Sequence, residues 1–279
     1  MTRATGLRRL SDGLGLGRRE MVALVGAGGK TTLLHRLAAE LADAGRSVIV
    51  TTTTAMREDE LQGLGPVVME RDAAELEARV RGALADGPVA AAARGPAPGG
   101  KVAGLEPATA DALWHAGLAD HVLVEADGSR GRPFKAFAQH EPQVPALTTT
   151  VVQMAGLDAL GRPLGDDVVH RAQLLSEALK VPLGAPVTPQ VFADGLGLQI
   201  GRLRRAGESM RIVTVLNKLD ACADEDEALE LAHCLAGPPA VAGKAVAPGS
   251  RHRPDAVVLA SLRDGRFTPV DEDLGGETP

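Results

Sequence analysis

The stretch that decides the fold is VALVGAGGKTT, residues Val22–Thr32. A short apolar run leads into a turn of small residues, and Lys-Thr-Thr then begins a helical pattern that Gly45 ends. Small residues let successive backbone N–H groups point at one anion, and a helix start adds partial positive charge there. The pattern therefore predicts a phosphate loop formed by Gly26, Ala27, Gly28, Gly29, Lys30, Thr31 and Thr32.

This loop is shorter than the standard phosphate-binding consensus, which has a glycine six residues before the lysine. Leu24 occupies that position here, inside the predicted strand. The compact G-x-x-G-K-T form is similar to that of Mur-type ligases. We expect Lys30 to contact the terminal phosphates and to act in catalysis, and the Thr31 hydroxyl to bind Mg²⁺. The alternative is a glycine-rich turn with an incidental lysine.

A second apolar strand ends in an acidic turn, VLVEADGSRG, residues 122–131. A carboxylate beside a phosphate loop is suited to holding Mg²⁺, so we expect Glu125 and Asp127 to bind the metal. Asp127 could instead orient a nucleophile, and the Gly128 N–H could bind the terminal phosphate. The run Thr51–Thr54 ends another strand, and Thr53 is a candidate for the same metal shell, although strand propensity explains threonines equally well.

A late strand is followed by an N-K-x-D motif, IVTVLNKLD, residues 212–220. In GTPases this motif reads guanine: we expect Asn217, Lys218 and Asp220 to contact the base, with Ser261 in the turn behind it. Adenine would leave the Asp220 carboxylate unpaired, which is unfavourable when the group is desolvated. The motif favours GTP over ATP, and both remain open.

The Pro-punctuated segment Arg132–Leu147 fits neither helical nor strand periodicity, so we expect an irregular loop over the carboxyl edge of the sheet. Arg130, just before it, is a candidate for stabilising transition-state charge. A second group of residues is predicted to contact a substrate or cofactor: Arg132, Lys135, His140 and Glu141. His170 and Arg171 look like an ordinary surface pair at a helix start.

Composition narrows the class of protein. Hydrophobic residues make up 44% of the 279 residues and aromatics only 2%, so aliphatic side chains must form the core. Alternating apolar runs and helical patterns predict an α/β fold with a doubly wound, mostly parallel sheet, resembling P-loop NTPases. The predicted domain covers residues 21–262, between a flexible segment 1–20 and a tail 263–279.

The net charge of −6 argues against a nucleic-acid partner. The sequence has no apolar run near the roughly 20 residues that span a bilayer, so no membrane partner is expected. Two cysteines without a zinc or disulfide pattern favour a reducing cytoplasm. The oligomeric state is not determined by the sequence.

The chain resembles the YqeC family of selenium-dependent hydroxylase accessory proteins. The resemblance covers roughly Met21 to Asp220, and four motifs carry it: VGAGGKTTLLHRLA, VIVTTTTAM, VLVEADGSRGRPFKAFAQHEPQVP and GLDALGRPLGDDVVHR. Phe137 and Gln139 depart from the proline and glutamate that the family pattern suggests. The resemblance implies a role in maturing molybdenum hydroxylases that contain selenium, with the hydroxylase or its cofactor as partner.

A looser similarity links Glu125 to Gly128, an E-x-x-G turn followed later by N-K-x-D, to metallocofactor-chaperone GTPases. Our leading hypothesis is a Mg²⁺-dependent nucleoside triphosphatase, with GTP preferred, that couples hydrolysis to cofactor maturation or insertion. One alternative is an ATP-dependent kinase or ligase acting on a small anionic substrate. The other is a nucleotide-gated binding module without significant turnover.

Overall fold

The computed structural model describes residues 9–207, 209–237 and 252–270. The strands are β1 Glu20–Gly26, β2 Val48–Thr52, β3 Met56–Arg57, β4 Val67–Met69, β5 Val89–Ala93, β6 Gly95–Ala97, β7 Lys101–Ala103, β8 His121–Glu125, β9 Phe134–Lys135, β10 Thr150–Gly156, β11 Val169–His170, β12 Arg211–Asn217, β13 Ala256–Ser261 and β14 Arg266–Val270. The α-helices are α1 Leu10–Gly13, α2 Lys30–Asp43, α3 Glu58–Gln62, α4 Ala73–Asp86, α5 Pro107–His115, α6 Ala172–Leu179, α7 Pro189–Ala206 and α8 Glu225–Ala236.

Among the described residues, the main sheet has nine strands in the order β14-β13-β12-β10-β1-β8-β2-β5-β4. Every pairing in it is parallel except that of β13 with β14. The predicted fold class, a doubly wound and mostly parallel α/β sheet, is therefore confirmed. A small antiparallel sheet, β3-β7-β6, is formed by the segments that follow β2 and β5 in the chain.

The sheet is covered on both faces, which explains why its central strands are apolar without alternation. Val22 and Leu24 of β1 pack with α2 on one face, in the cluster that contains Leu37. Met21 and Val25 face the other way, in the cluster formed with α4, α5 and α7. The strand that precedes the phosphate loop is thus fixed from both sides.

The chain before β1 is part of the fold rather than the flexible segment predicted for residues 1–20. Leu10 and Leu14 are 2% and 0% exposed and join the core beneath α2. Glu40 of α2 accepts hydrogen bonds from the backbone N–H groups of Leu10 and Ser11. The prediction was wrong for residues 10–19 because a single helical turn is too short to show periodicity; residues 1–8 lie outside the described residues.

The C-terminal boundary also differs from the prediction. Residues 266–270 form β14, which pairs with β13 and closes that edge of the sheet, whereas a tail was expected from residue 263. Phe267 packs against the core that includes α2. The sequence did not predict this strand because the residues around it are mostly hydrophilic. Residues 271–279 lie outside the described residues.

The Pro-punctuated segment lies over the carboxyl edge of the sheet, as predicted. β9 within it pairs with β11, and the Phe134 ring stacks on Phe192 of α7 with centroids 4.5 Å apart. Gln143 N–H donates to the Ala126 carbonyl, which joins the end of the segment to the turn after β8. The loop is irregular in secondary structure and firmly packed.

Candidate functional site

The phosphate loop is pressed against the end of β10, and its glycines are required for that contact. Gly26 and Gly28 have φ values of +89° and +85°, a region that favours glycine. A Cβ on Gly26 would lie 2.2 Å from the Met154 carbonyl oxygen, and one on Gly28 would lie 2.3 Å from the Gly156 nitrogen. Any larger residue at either position would push the turn off the sheet.

Part of the loop's hydrogen-bonding capacity is used within the protein. Gly26 N–H donates to Asp127 Oδ2 at 2.9 Å, Ala27 N–H to Met154 O, and Gly28 N–H to Arg132 O. The amides at the start of α2 differ, because the first N–H groups of a helix have no intrahelical acceptor. Gly29, the residue before the helix, supplies no side-chain cap. These amides can therefore receive an anion.

Lys30 is folded back over the turn. Its Nζ donates to Gly26 O at 2.8 Å and lies 3.1 Å from Asp127 Oδ1. Burial alone would lower the pKa of Lys30, but the charges of Asp127 and Glu125 outweigh it and raise the pKa. The ammonium is therefore charged and lies beside the predicted phosphate position.

Asp127 is enclosed between two lysines and does not line the cleft. Its side chain is 0% exposed, and its carboxylate lies between the Nζ atoms of Lys30 and Lys135, at 3.1 and 3.0 Å. Gly26 N–H donates to Oδ2, whereas Oδ1 has the ion pair with Lys30 and no hydrogen bond among the described residues. The expected role of Asp127 as a metal ligand or catalytic group is thus at odds with the geometry, and the carboxylate instead holds the phosphate loop in place.

The same charge chain continues away from the loop. Lys135 is 0% exposed, and its Nζ contacts Gly128 O at 2.6 Å and Glu141 Oε2 at 3.1 Å. Arg171 binds both Glu141 oxygens; its Nη2 donates to Oε1 at 3.0 Å. Although burial opposes ionisation, Arg171 and Lys135 lower the pKa of Glu141 to about 2.

This ion network (Lys30, Asp127, Lys135, Glu141 and Arg171) corrects two expectations. Lys135 is enclosed within it and does not lie open to a substrate as predicted, whereas Glu141, which binds Lys135 and Arg171, still lines the cleft. Arg171, which the sequence suggested was an ordinary surface residue, is an anchor of the network. The contact joins residues thirty positions apart, so no local spacing could reveal it.

Glu125 and Thr31 form the part of the site that suits a metal ion. Thr31 Oγ1 lies 3.4 Å from Glu125 Oε2, and both residues line one cleft. Burial raises the pKa of Glu125 to about 7, with the Lys30 charge opposing that effect. A buried carboxylate next to a hydroxyl offers the oxygen ligands that Mg²⁺ prefers, and Mg²⁺ commonly uses only one or two protein ligands. In the described part of the chain, no cluster of three or more His, Cys, Asp or Glu residues could hold a metal by itself.

The threonine run is mostly structural. Thr53 Oγ1 donates to Gln143 O at 2.7 Å, so its expected place in the metal shell is taken by a backbone contact. Thr51 and Thr52 donate to the carbonyls of Ala92 and Glu125. Thr54, which was not predicted, is the one threonine of the run that lines the cleft within the described residues.

The N-K-x-D motif lies beside the phosphate loop. Asn217 is buried: its Nδ2 donates to Gly28 O at 2.8 Å, and its Oδ1 accepts from Leu262 N–H. Lys218 lines the cleft and pairs with Asp158 at 2.8 Å. Asp220 is exposed, and its Oδ1 accepts from the buried Ser261 hydroxyl at 2.6 Å. Asn217 therefore joins the loop to β12 and to the turn after β13, and Asp220 remains reachable from solvent.

These elements border a cleft of about 790 Å³. The phosphate loop, Gly128, Glu125 and Lys218 form one part of its lining, and Arg130, Arg132 and His140 form another. The sequence did not point to the remaining cleft-lining residues that matter here: Arg57, Lys101, His170 and Arg171. Burial, then the charges of Arg171 and Lys135, lower the pKa of His170 to about 4.

Comparison with known proteins places the chain in a family. The family described as YqeC protein matches residues 22–173. The protein named "Uncharacterized protein YqeC" of Escherichia coli (strain K12) is 33% identical over 206 residues, which is 74% of this chain and 78% of that protein.

Two solved structures show a more distant likeness. The signal recognition particle 54 kDa protein of Aeropyrum pernix K1, in complex with GDP, is 14% identical with a TM-score of 0.41, over 91% of this chain and 44% of that one. Chloroplast FtsY from Physcomitrella patens is 15% identical with a TM-score of 0.35, over 92% and 64%. This chain thus spans less than two thirds of either. No described helix is long and apolar enough to cross a membrane. The match over most of the sequence shows that the chain belongs to the YqeC family.

Proposed function

We propose that this protein binds a nucleoside triphosphate with Mg²⁺ and hydrolyses it, with GTP preferred over ATP. The observation that carries the proposal is the convergence of the α2 amino end, the charged Lys30 and the Thr31–Glu125 pair on one cleft. Amides, an ammonium and a metal-binding oxygen pair are what a polyphosphate requires.

Phosphate binding would draw Lys30 away from the Gly26 carbonyl. The lysine Nζ makes a hydrogen bond of 2.8 Å to that oxygen, on the inner side of the turn where phosphate oxygens would lie. Asp127 keeps Lys135 and Gly26 N–H as partners when Lys30 moves, so the turn stays in place. The movement therefore exchanges the Gly26 carbonyl and one Asp127 oxygen for phosphate oxygens, around an ammonium that stays charged.

Thr31 and Glu125 would hold the metal ion, which neutralises phosphate charge when bound. Arg130 is exposed at the rim of the cleft and can offset charge that develops on the terminal phosphate. Asp127 is buried in the ion network, so we assign it the positioning of the phosphate loop rather than contact with water.

The guanine preference rests on Asp220. Asp220 is exposed and follows Lys218 by two residues in the chain, and Lys218 lines the cleft. A guanine here would donate two hydrogen bonds to the carboxylate, whereas adenine would leave it without donors. Asp220→Asn should reduce the preference for GTP if the base lies there and should leave ATP binding unchanged.

The family resemblance suggests what the hydrolysis is for. We propose that it drives maturation or insertion of the cofactor of selenium-dependent molybdenum hydroxylases. Phosphate release should then rise when the hydroxylase or its cofactor is added. Turnover that stays at background with each partner would favour a nucleotide-gated binding module instead. An ATP-dependent kinase or ligase is the second candidate, favoured by the compact loop, and it would show no loss of selectivity in Asp220→Asn.

Direct binding tests the proposal. Fluorescent GTP and ATP analogues are titrated with Mg²⁺ into the wild-type protein, Lys30→Ala and the control Arg81→Ala. Arg81 is exposed on the outer face of α4 and pairs with Glu77. Losing a charged phosphate contact should weaken binding about tenfold or more in Lys30→Ala. Failure of the wild-type protein to bind either nucleotide would refute the proposal.

A further inference from the structure

Basic side chains outnumber glutamates along the cleft, and most of the basic groups already have partners. Lys30 pairs with Asp127, Arg57 with Asp59, Arg171 with Glu141, and Lys218 with Asp158. Three others have no carboxylate within ion-pair distance among residues 9–207, 209–237 and 252–270: Lys101, Arg130 and Arg132. We call these three the free cations.

The free cations come from different parts of the chain. Lys101 begins β7 in the small sheet and lies opposite Arg57 in the register of β3 and β7. Arg130 and Arg132 lie in the turn after β8, where Arg130 has a φ of +50°. Two separate elements therefore bring unpaired positive charge to one cleft, in a protein whose net charge is −6.

A nucleotide bound at the phosphate loop does not extend naturally toward Lys101. The sheet order places β12, which carries Asn217 and Lys218, on one side of β1, and β2 and β5 on the other. The small sheet is formed by the segments that follow β2 and β5. Lys101 therefore lies on the β2 and β5 side of the phosphate loop, opposite the N-K-x-D motif. A nucleotide that runs from the phosphate loop to Lys218 leaves this side of the cleft open.

We propose that the cleft binds a second ligand beside the nucleotide, a small molecule with a phosphate monoester group, held by Lys101 and Arg132, while Arg130, assigned above to the terminal phosphate of the nucleotide, adds positive charge to the same cleft. The proposal rests on the proposed function, because it assigns the other ligand of the same cleft. Arginine side chains match phosphate oxygens in pairs, and lysine adds a point charge. The cleft of about 790 Å³ lies in the size range of small-molecule sites rather than macromolecular interfaces.

The neighbouring residues support an anion rather than a cation at this place. Burial lowers the pKa of His170 most, and the charges of Arg171, Lys135 and Arg130 lower it further while Glu141 alone opposes them, so three cationic groups lie near this side of the cleft. Glu141 already has both oxygens bound by Arg171 and cannot also neutralise the free cations. An incoming dianion would supply the missing negative charge.

The test uses the full-length protein saturated with Mg²⁺ and a non-hydrolysable GTP analogue, so that the phosphate loop is filled. Equilibrium dialysis with labelled inorganic phosphate then measures whether a second anion binds. We expect saturable binding, weakened about fivefold in Lys101→Ala and in Arg132→Ala, since each removes one charged contact. Arg81→Ala should bind phosphate as the wild-type protein does, and both cleft variants should retain the analogue.

The outcomes separate the two proposals. If the analogue binds and phosphate does not, the second site is refuted and the nucleotide proposal stands. If Lys101→Ala and Arg132→Ala lose the analogue itself, the free cations serve the nucleotide and the second site is again refuted. If no analogue binds to the wild-type protein, the nucleotide proposal fails, and the dialysis without analogue decides the second site: phosphate binding that Lys101→Ala and Arg132→Ala weaken supports it, and binding that neither variant weakens refutes it.

Discussion

Asp127→Asn tests whether the buried carboxylate positions the phosphate loop or acts in chemistry. The change removes one negative charge between two ammonium groups and keeps an oxygen that can accept from Gly26 N–H. Lys30 and Lys135 are 3% and 0% exposed, so neither can be rehydrated without opening the site. Breaking a buried ion pair typically costs about 3–5 kcal/mol.

The low end of that range is expected here. Lys30 retains Glu125 at 4.0 Å, and Lys135 retains Glu141 at 3.1 Å. We therefore predict that Asp127→Asn lowers the free energy of unfolding by about 3 kcal/mol, measured by urea denaturation near neutral pH. Asp59→Asn is the matched control: its exposed pair with Arg57 should contribute little.

A double variant sharpens the test. Lys135→Met removes one of the ammonium groups that Asp127 neutralises, so Asp127→Asn and Lys135→Met together should cost less than the sum of the single changes, by about 1–3 kcal/mol. Near-wild-type stability of Asp127→Asn, combined with loss of nucleotide hydrolysis, would refute the positioning role. Such a result would support direct participation of Asp127 in catalysis.

Three further predictions follow from the same site. Gly28→Ala should lower nucleotide affinity and cost about 2 kcal/mol or more of stability, since its Cβ would meet the Gly156 nitrogen at 2.3 Å; an unchanged affinity in a binding titration would contradict this. Asn217→Ala leaves the Gly28 carbonyl and Leu262 N–H unpaired, so urea denaturation should show that the free energy of unfolding falls by about 3 kcal/mol. A decrease below about 1 kcal/mol would contradict the role of Asn217 in joining the phosphate loop to β12. Because burial raises the pKa of Glu125 to about 7, the folded state binds that proton more tightly than the unfolded chain, and this contribution to stability falls as pH rises from 4.5 to about 7. Glu125→Gln should remove the slope, and parallel unfolding curves for both proteins between about pH 5 and about pH 8 would refute the shift.

Local patterns sufficed for much of the fold and for the phosphate-binding half of the site. The order of apolar run, small-residue turn and amphipathic helix determines β1, the phosphate loop and α2, because each step depends on neighbours within a few residues. The acid at the end of β8 and the N-K-x-D motif after β12 were recognisable for the same reason. Parallel strands then bring their carboxyl ends to one edge, which gathers Glu125 and Asn217 near Lys30.

What the sequence could not determine is which polar side chains face the cleft and which are enclosed. Asp127 and Lys135 look like open site residues in the sequence, yet the packing of β9 and of the segment after it buries them in an ion network. Arg171 is significant because it pairs with the distant Glu141, and Lys101 because the fold brings it to the cleft. Burial and pairing depend on the full three-dimensional packing, so only the tertiary structure decides them.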